Sequence, residues 1–234
     1  GSHTGSPKTG GTAPKPPEGV LRLMSPWMIH SMIAAAVTSL ALVNVNLYLW
    51  RSTRRLHHRH WLISWLFYLV RNLLDIYVTA VRSTPVLAIA IDAAAGCAGL
   101  MLLVGLVEML GWSRRLVSVG TGLVFGAVLW SGYVNLATGE VGMAALPVFT
   151  LLGVSQALIG FAFLAGRAGT RTGVGKAFGL AMFLWGLHKL NYPVLRNIPS
   201  LAPYGYSLAA LLTTTVALLQ VVVSLEDARE RNEF

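Results

Sequence analysis

The stretch WLISWLFYLVRNLLDIYVTA, Trp61–Ala80, decides the fold. A helix of this length spans a hydrocarbon core of ~30 Å, at about 1.5 Å of rise per residue. Yet the run carries Arg71 and Asp75, four residues apart and therefore on one helical face, where they can pair. Each such group costs about 2.5–3.5 kcal/mol deep in a membrane span, so both mark a functional position by default.

The rest of the chain resembles this stretch. Of its 234 residues 55% are hydrophobic and only 12% charged, about half the ~25% usual for a soluble domain. Mean hydropathy is +0.63. The composition predicts an all-α membrane protein, a seven-transmembrane-helix bundle. Its spans are Pro26 to Trp50, Trp61 to Ala80, Pro85 to Leu110, Leu116 to Leu136, Val141 to Ala165, Gly175 to Leu195 and Pro203 to Leu225. No internal repeat is visible.

The net charge of +9 is no nucleic-acid signature, because the basic residues cluster between apolar runs. RSTRRLHHRH, GWSRR and GRAGTRTGVGK alternate with the poorer links VRSTP, NLATGE and RNIPSLAP. Under the positive-inside bias this places the N-terminus outside and the C-terminus in the cytoplasm. Residues 1–22 read as a tag remnant, GSH, and a disordered tail without apolar period. Residues 23–225 form the transmembrane domain.

Residues 226–234 read as the start of a cytoplasmic signalling helix, because LLQVVVSLEDARERNEF passes from apolar to charged without Gly or Pro. Leu211, Leu218 and Leu225, with Val222 between, begin a weak heptad seam. The abrupt end is expected of a chain cut short of an output domain. The single cysteine, Cys97, excludes an intramolecular disulfide and a CxxC motif.

Depth then sorts the intramembrane charges. Asp75 lies about 21 Å and His188 about 20 Å into their spans from the basic end, and Asp92 about 10 Å from the other end. These depths match, so Arg71, Asp75, Asp92, His188 and Lys189 are expected in one acid–base cluster across spans 2, 3 and 6. Glu108 falls near Arg114 and Arg115 and reads as an interfacial charge.

In WGLHKLNYPVLRN, Trp185, His188 and Tyr192 share a face, with Lys189 about 100° away. Pro193 has no N–H for the Lys189 carbonyl and loosens the helix. The segment reads equally as the wall of a polar pocket and as glue, with Lys189 neutralising Asp75 or Asp92.

Asn44, Asn46, Ser155, Gln156 and Thr213 to Thr215 are expected to make interhelical hydrogen bonds. His57, His58 and His60 read as part of a headgroup-facing basic loop. Met24, Met28 and His30 lack the second cluster a copper site needs. No GxSxG, HExxH, P-loop or dinucleotide fingerprint is present. The seventh span has no lysine for a retinal Schiff base. No cofactor is implied.

WLFYLVRNLLDIYV and FLWGLHKLNYPVLRN, with a last span running into SLEDARERNEF, resemble the N-terminal seven-helix sensor regions of bacterial sensor histidine kinases and diguanylate cyclases. The resemblance covers roughly residues 60 to 234. It rests on the pattern W-x-L-H-K-L-(D/N)-Y-P before the last crossing, with Asn191 at the alternative position.

The resemblance implies signal reception in a bacterial inner (cytoplasmic) membrane. The leading reading is a non-enzymatic receptor domain that receives a signal in the outer half, in a pocket between spans 2, 3 and 6, and transmits it through the last helix to an output module. Arg71, Asp75, Asp92, Trp185, His188, Lys189, Asn191, Tyr192 and Pro193 are the candidate ligand or switch residues. Membrane lipids, an unidentified small lipophilic ligand and a second copy in a homodimer are the expected partners. A small proton-coupled transporter using a His/Lys/Asp relay is the alternative, although a missing inverted repeat counts against it. A membrane enzyme with His188 as base comes third.

Overall fold

The computed structural model describes residues 26–81, 83–138, 141–168, 173–196, 198 and 200–232. The tag remnant, the tail with Met24, and parts of the links after the fourth, fifth and sixth spans lie outside them. The described residues form seven helices: α1 Pro26–Thr53, α2 Leu56–Ala80, α3 Pro85–Leu110, α4 Arg115–Ala137, α5 Val141–Leu164, α6 Gly173–Arg196 and α7 Ala202–Asn232. All but α6 are long and apolar enough to cross a membrane; α6 gives up apolarity to His188, Lys189, Asn191 and Tyr192. The chain is a multi-pass helical membrane protein.

Local chemistry sets several ends. Thr84 accepts a hydrogen bond from the Leu87 N–H at 3.3 Å, and Pro85 begins α3, where its missing N–H costs nothing. Gly111, at φ 66°, ends the same helix, and the Trp112 N–H returns to the Val107 carbonyl. The basic RSTRRLHHRH segment is mostly helix rather than loop. Only Arg54 and Arg55 interrupt it, with Arg54 at φ 56°. His57, His58 and His60 therefore sit on the first turn and a half of α2.

Six helices close a ring in the order α1, α2, α3, α5, α6, α7, and α4 packs outside it against α3 and α5. The α4 sequence explains this position. Its buried residues, Gly120, Val124, Ala127, Ser131, Val134 and Asn135, form one stripe, and Val119, Leu123, Phe125, Leu129, Tyr133 and Leu136 are exposed toward the lipid.

The tightest pair is α5 with α6. Gly153 and Gly160 meet Gly186 and Gly179 in antiparallel register, so closely that a Cβ on Gly160 would lie 2.6 Å from the Gly179 carbonyl oxygen. Small residues let backbones approach where lipid tails supply no hydrophobic drive for association.

Polar residues tie other pairs. The Asn46 and Gln220 amides exchange hydrogen bonds of 3.2 and 2.8 Å between α1 and α7. Ser31 meets Ser207 at 3.0 Å across the same pair, and Ser64 donates to the Ala98 carbonyl at 2.8 Å between α2 and α3. Of the polar residues expected to bridge helices, only Asn46 is seen to do so. Asn44, Ser155 and Thr213 to Thr215 turn back to carbonyls of their own helices, which costs less than reaching a neighbour.

Candidate functional site: a charged aromatic core

The ring interior is filled by side chains that reach across from α2 and α6, whose backbones do not approach closely. On α2 the inward stripe runs Trp65, Tyr68, Arg71, Asn72, Asp75; on α6 it runs Met182, Trp185, His188, Lys189, Tyr192. Both follow three- and four-residue steps, so each large side chain points at the axis.

Arg71 organises the cluster and is 1% exposed. Nη1 donates to the Asn72 side-chain oxygen at 2.7 Å, and Nη2 donates to Asp75 at 3.0 Å and to the Tyr192 hydroxyl at 2.9 Å. Its guanidinium also lies 5.2 Å from the Tyr192 ring centre and 5.3 Å from that of Phe149 on α5. Such cation–π contacts are worth about 0.5–2 kcal/mol.

The Asp75 carboxylate accepts a further hydrogen bond, at 2.6 Å, from the Tyr206 hydroxyl of α7. Asn72 extends the network to α1 by donating to Ser39 at 2.8 Å. A single buried carboxylate thus holds groups from α2, α6 and α7.

Lys189 is fully buried and forms no ion pair with a carboxylate among the described residues. Nζ hydrogen-bonds the Tyr68 hydroxyl and lies 4.8 Å from the Tyr68 ring centre and 5.5 Å from those of Trp185 and Tyr192. The expected neutralisation of Asp75 or Asp92 by Lys189 is therefore corrected: Arg71 takes Asp75, and π-faces solvate the ammonium. Trp65 and Trp185 stack beside it, 5.2 Å apart and 4° from parallel.

Asp92 is likewise separated from the expected cluster. Its carboxylate accepts a 2.6 Å hydrogen bond from Ser131 of α4, and Asn135 donates to the same Ser131 hydroxyl at 3.1 Å. Depth alone matched Asp92 to Asp75, but its face of α3 turns to α4. Asn191 is exposed, while Pro193 is buried in the last turn of α6. Glu108 lies 3.7 Å from Arg114, at the basic end as expected.

His188 is buried with its ring 6.4 Å from that of Tyr192. Its ring comes near Gly205 at the start of α7, where an added Cβ would lie 4.0 Å from His188 Cε1. Among the described residues, its Nε2 and the indole nitrogens of Trp65 and Trp185 have no hydrogen-bond partner, nor do both amide atoms of Gln156, which is fully buried on α5. Buried polar atoms without partners are uncommon and gather at sites that take water or a ligand.

Sequence reasoning missed Tyr68, Tyr206, Asn72 and Phe149. Tyr68 was findable, three residues before Arg71 on the same face. Tyr206 was not, because a tyrosine near a span end ordinarily reads as an interfacial anchor. Among the described residues no group of three His, Cys, Asp or Glu converges on a metal-sized site. No protein-family model, curated protein or solved structure matches the chain.

Proposed function

We propose that this chain is the membrane-embedded receptor region of a bacterial signalling protein, crossing the inner membrane seven times with its N-terminus outside. The observation that carries this reading is the sharing of Asp75 by Arg71 of α2, Tyr192 of α6 and Tyr206 of α7. A signal that alters the α2–α6 core alters the hold on α7, through Tyr206 and through the His188–Gly205 contact.

The α7 helix is continuous from Ala202 to Asn232. At about 46 Å it exceeds a ~30 Å hydrocarbon core, and it carries displacement beyond the bundle without a hinge. The unpartnered indole and amide groups give a small polar or amphiphilic signal its differential contacts, without which no ligand shifts an equilibrium. A homodimer fits this reading, since helical outputs commonly work in pairs.

The test is output from the intact gene product carrying Tyr206→Phe or His188→Ala, at normal membrane levels. Losing a charge-assisted hydrogen bond worth about 1.5–3 kcal/mol is expected to change basal kinase or cyclase output at least threefold in the Tyr206 variant. Unchanged basal output and unchanged response in both variants contradict the proposal. Proton flux in proteoliposomes that disappears with Lys189→Met replaces it by the transporter reading.

A further inference from the structure

A second feature lies at the opposite, basic end of the ring and takes no part in the charged core. A cavity of about 340 Å³ opens there between α2, α3, α5, α6 and α7. Two arginines from distant parts of the chain line it: Arg55 from the α1–α2 turn and Arg167 from just beyond α5. His57 and His58 of α2 add two imidazoles, their ring centres 4.2 Å apart. Among the described residues one acidic group, Glu108, belongs to the wall, and it lies 3.7 Å from Arg114 outside the cavity.

The remaining wall is apolar. Trp61, Phe163 and Phe178 line it with aromatic side chains, and Met109 and Val223 add aliphatic ones. The indole N–H of Trp61 is buried with no acceptor among the described residues. Basic loops follow from topology alone, and scattered ones need no ligand. Here the cations instead share a concave space with an aromatic floor, which is how sites for organic anions are built.

We propose that this cavity binds an amphiphile with an anionic head, a phosphate or carboxylate held by Arg55 and Arg167, and an apolar body lying on Trp61 and Phe178. Its α7 wall, Gln220 to Ser224, lies about 21–27 Å along that helix from Tyr206. An occupant therefore braces α7 against α2 and α3 close to where it leaves the bundle. The site stands independently of the receptor reading, so either can fail alone.

The probe is dodecyl phosphate, added to the full chain in a neutral maltoside detergent and read as a change in Tm. Dodecylphosphocholine supplies the same tail without net negative charge, and inorganic phosphate the head without a tail. Saturating dodecyl phosphate is expected to raise Tm by about 3–6 °C. The rise is expected to be lost in Arg55→Gln/Arg167→Gln and kept in Arg51→Gln/Arg115→Gln, which removes equal charge outside the cavity.

An equal rise with dodecylphosphocholine or with inorganic phosphate alone overturns the proposal, as does a rise that survives in the Arg55/Arg167 variant. With the proposal upheld, nanodiscs identify the source. An Arg55- and Arg167-dependent stabilisation by phosphatidylglycerol over phosphatidylcholine assigns a membrane lipid, and its absence assigns a soluble amphiphile. If the variant fails to fold, Phe178→Ala supplies the second reading: a dodecyl phosphate affinity weakened about tenfold supports the site, and an unchanged one overturns it.

Discussion

Asp75→Ala is expected to destabilise the bundle by about 3–5 kcal/mol, the cost of leaving a buried charge without its partner. The Arg71 guanidinium is 1% exposed, and the carboxylate 3.0 Å away is its only anionic hydrogen-bond partner among the described residues. Asn72 and Tyr192 would remain as neutral acceptors, and the Tyr206 hydroxyl would lose its acceptor. Arg71→Met combined with Asp75→Leu is expected to recover most of the loss, because apolar residues of similar volume avoid the desolvation cost of both ions.

Lys189→Met behaves differently. It strands no carboxylate, since Lys189 hydrogen-bonds the Tyr68 phenol, and it is expected to be neutral or stabilising. Denaturation in mixed micelles measures all three. Equal losses for Asp75→Ala and the double variant would show that the pair contributes nothing as a pair.

Gly160→Leu is expected to cost about 3 kcal/mol or more, at the upper end of overpacking losses. Its added carbon meets rigid backbone, 2.5 Å from the Phe183 nitrogen and 2.6 Å from the Gly179 oxygen, so no rotamer change relieves it. Separating α5 from α6 also disturbs the Phe149–Tyr192 stack, now 4.7 Å between ring centres, and with it the cage around Arg71. Gly122→Leu is the control: nothing lies within 4 Å of a Cβ there, and a change within about 0.5 kcal/mol is expected. Comparable losses at the two glycines would refute the close-packing account of the α5–α6 seam.

These two sites also show what the amino-acid order reveals and what it withholds. Arg71 and Asp75 pair within one helix, so a spacing of four residues was enough to read their bond. The helix bounds were legible because apolar runs end at Pro, Gly or charge, and the α1–α2 segment was misjudged because its arginines and histidines are polar yet compatible with helix. Asp92 was assigned to the wrong neighbours for a different reason. The α3 helix is apolar all round, so rise along the helix gave its depth while nothing gave its rotation.

Lys189 failed through the assumption that a buried ammonium needs a carboxylate. Tyr68, Trp185 and Tyr192, spread over two helices, supply its surroundings instead. The pairing of Gly153 and Gly160 with Gly186 and Gly179 was present as two seven-residue spacings. Its partnership became visible only once α5 and α6 were side by side.

The central claim is that the Asp75 network sets the position of α7. The direct measurement is the distance between spin labels at Arg229→Cys, near the far end of α7, and Ser52→Cys, at the end of α1, in a Cys97→Ser background. Labelled protein is diluted with unlabelled protein in nanodiscs, so that only pairs within one chain are read. Tyr206→Phe, which removes the α7 hydroxyl from Asp75, is expected to shift or broaden the distribution by about 2 Å or more, the scale of helix displacements in switching proteins. A distribution unchanged by Tyr206→Phe, in protein whose folding is verified by its melting transition, would contradict the account.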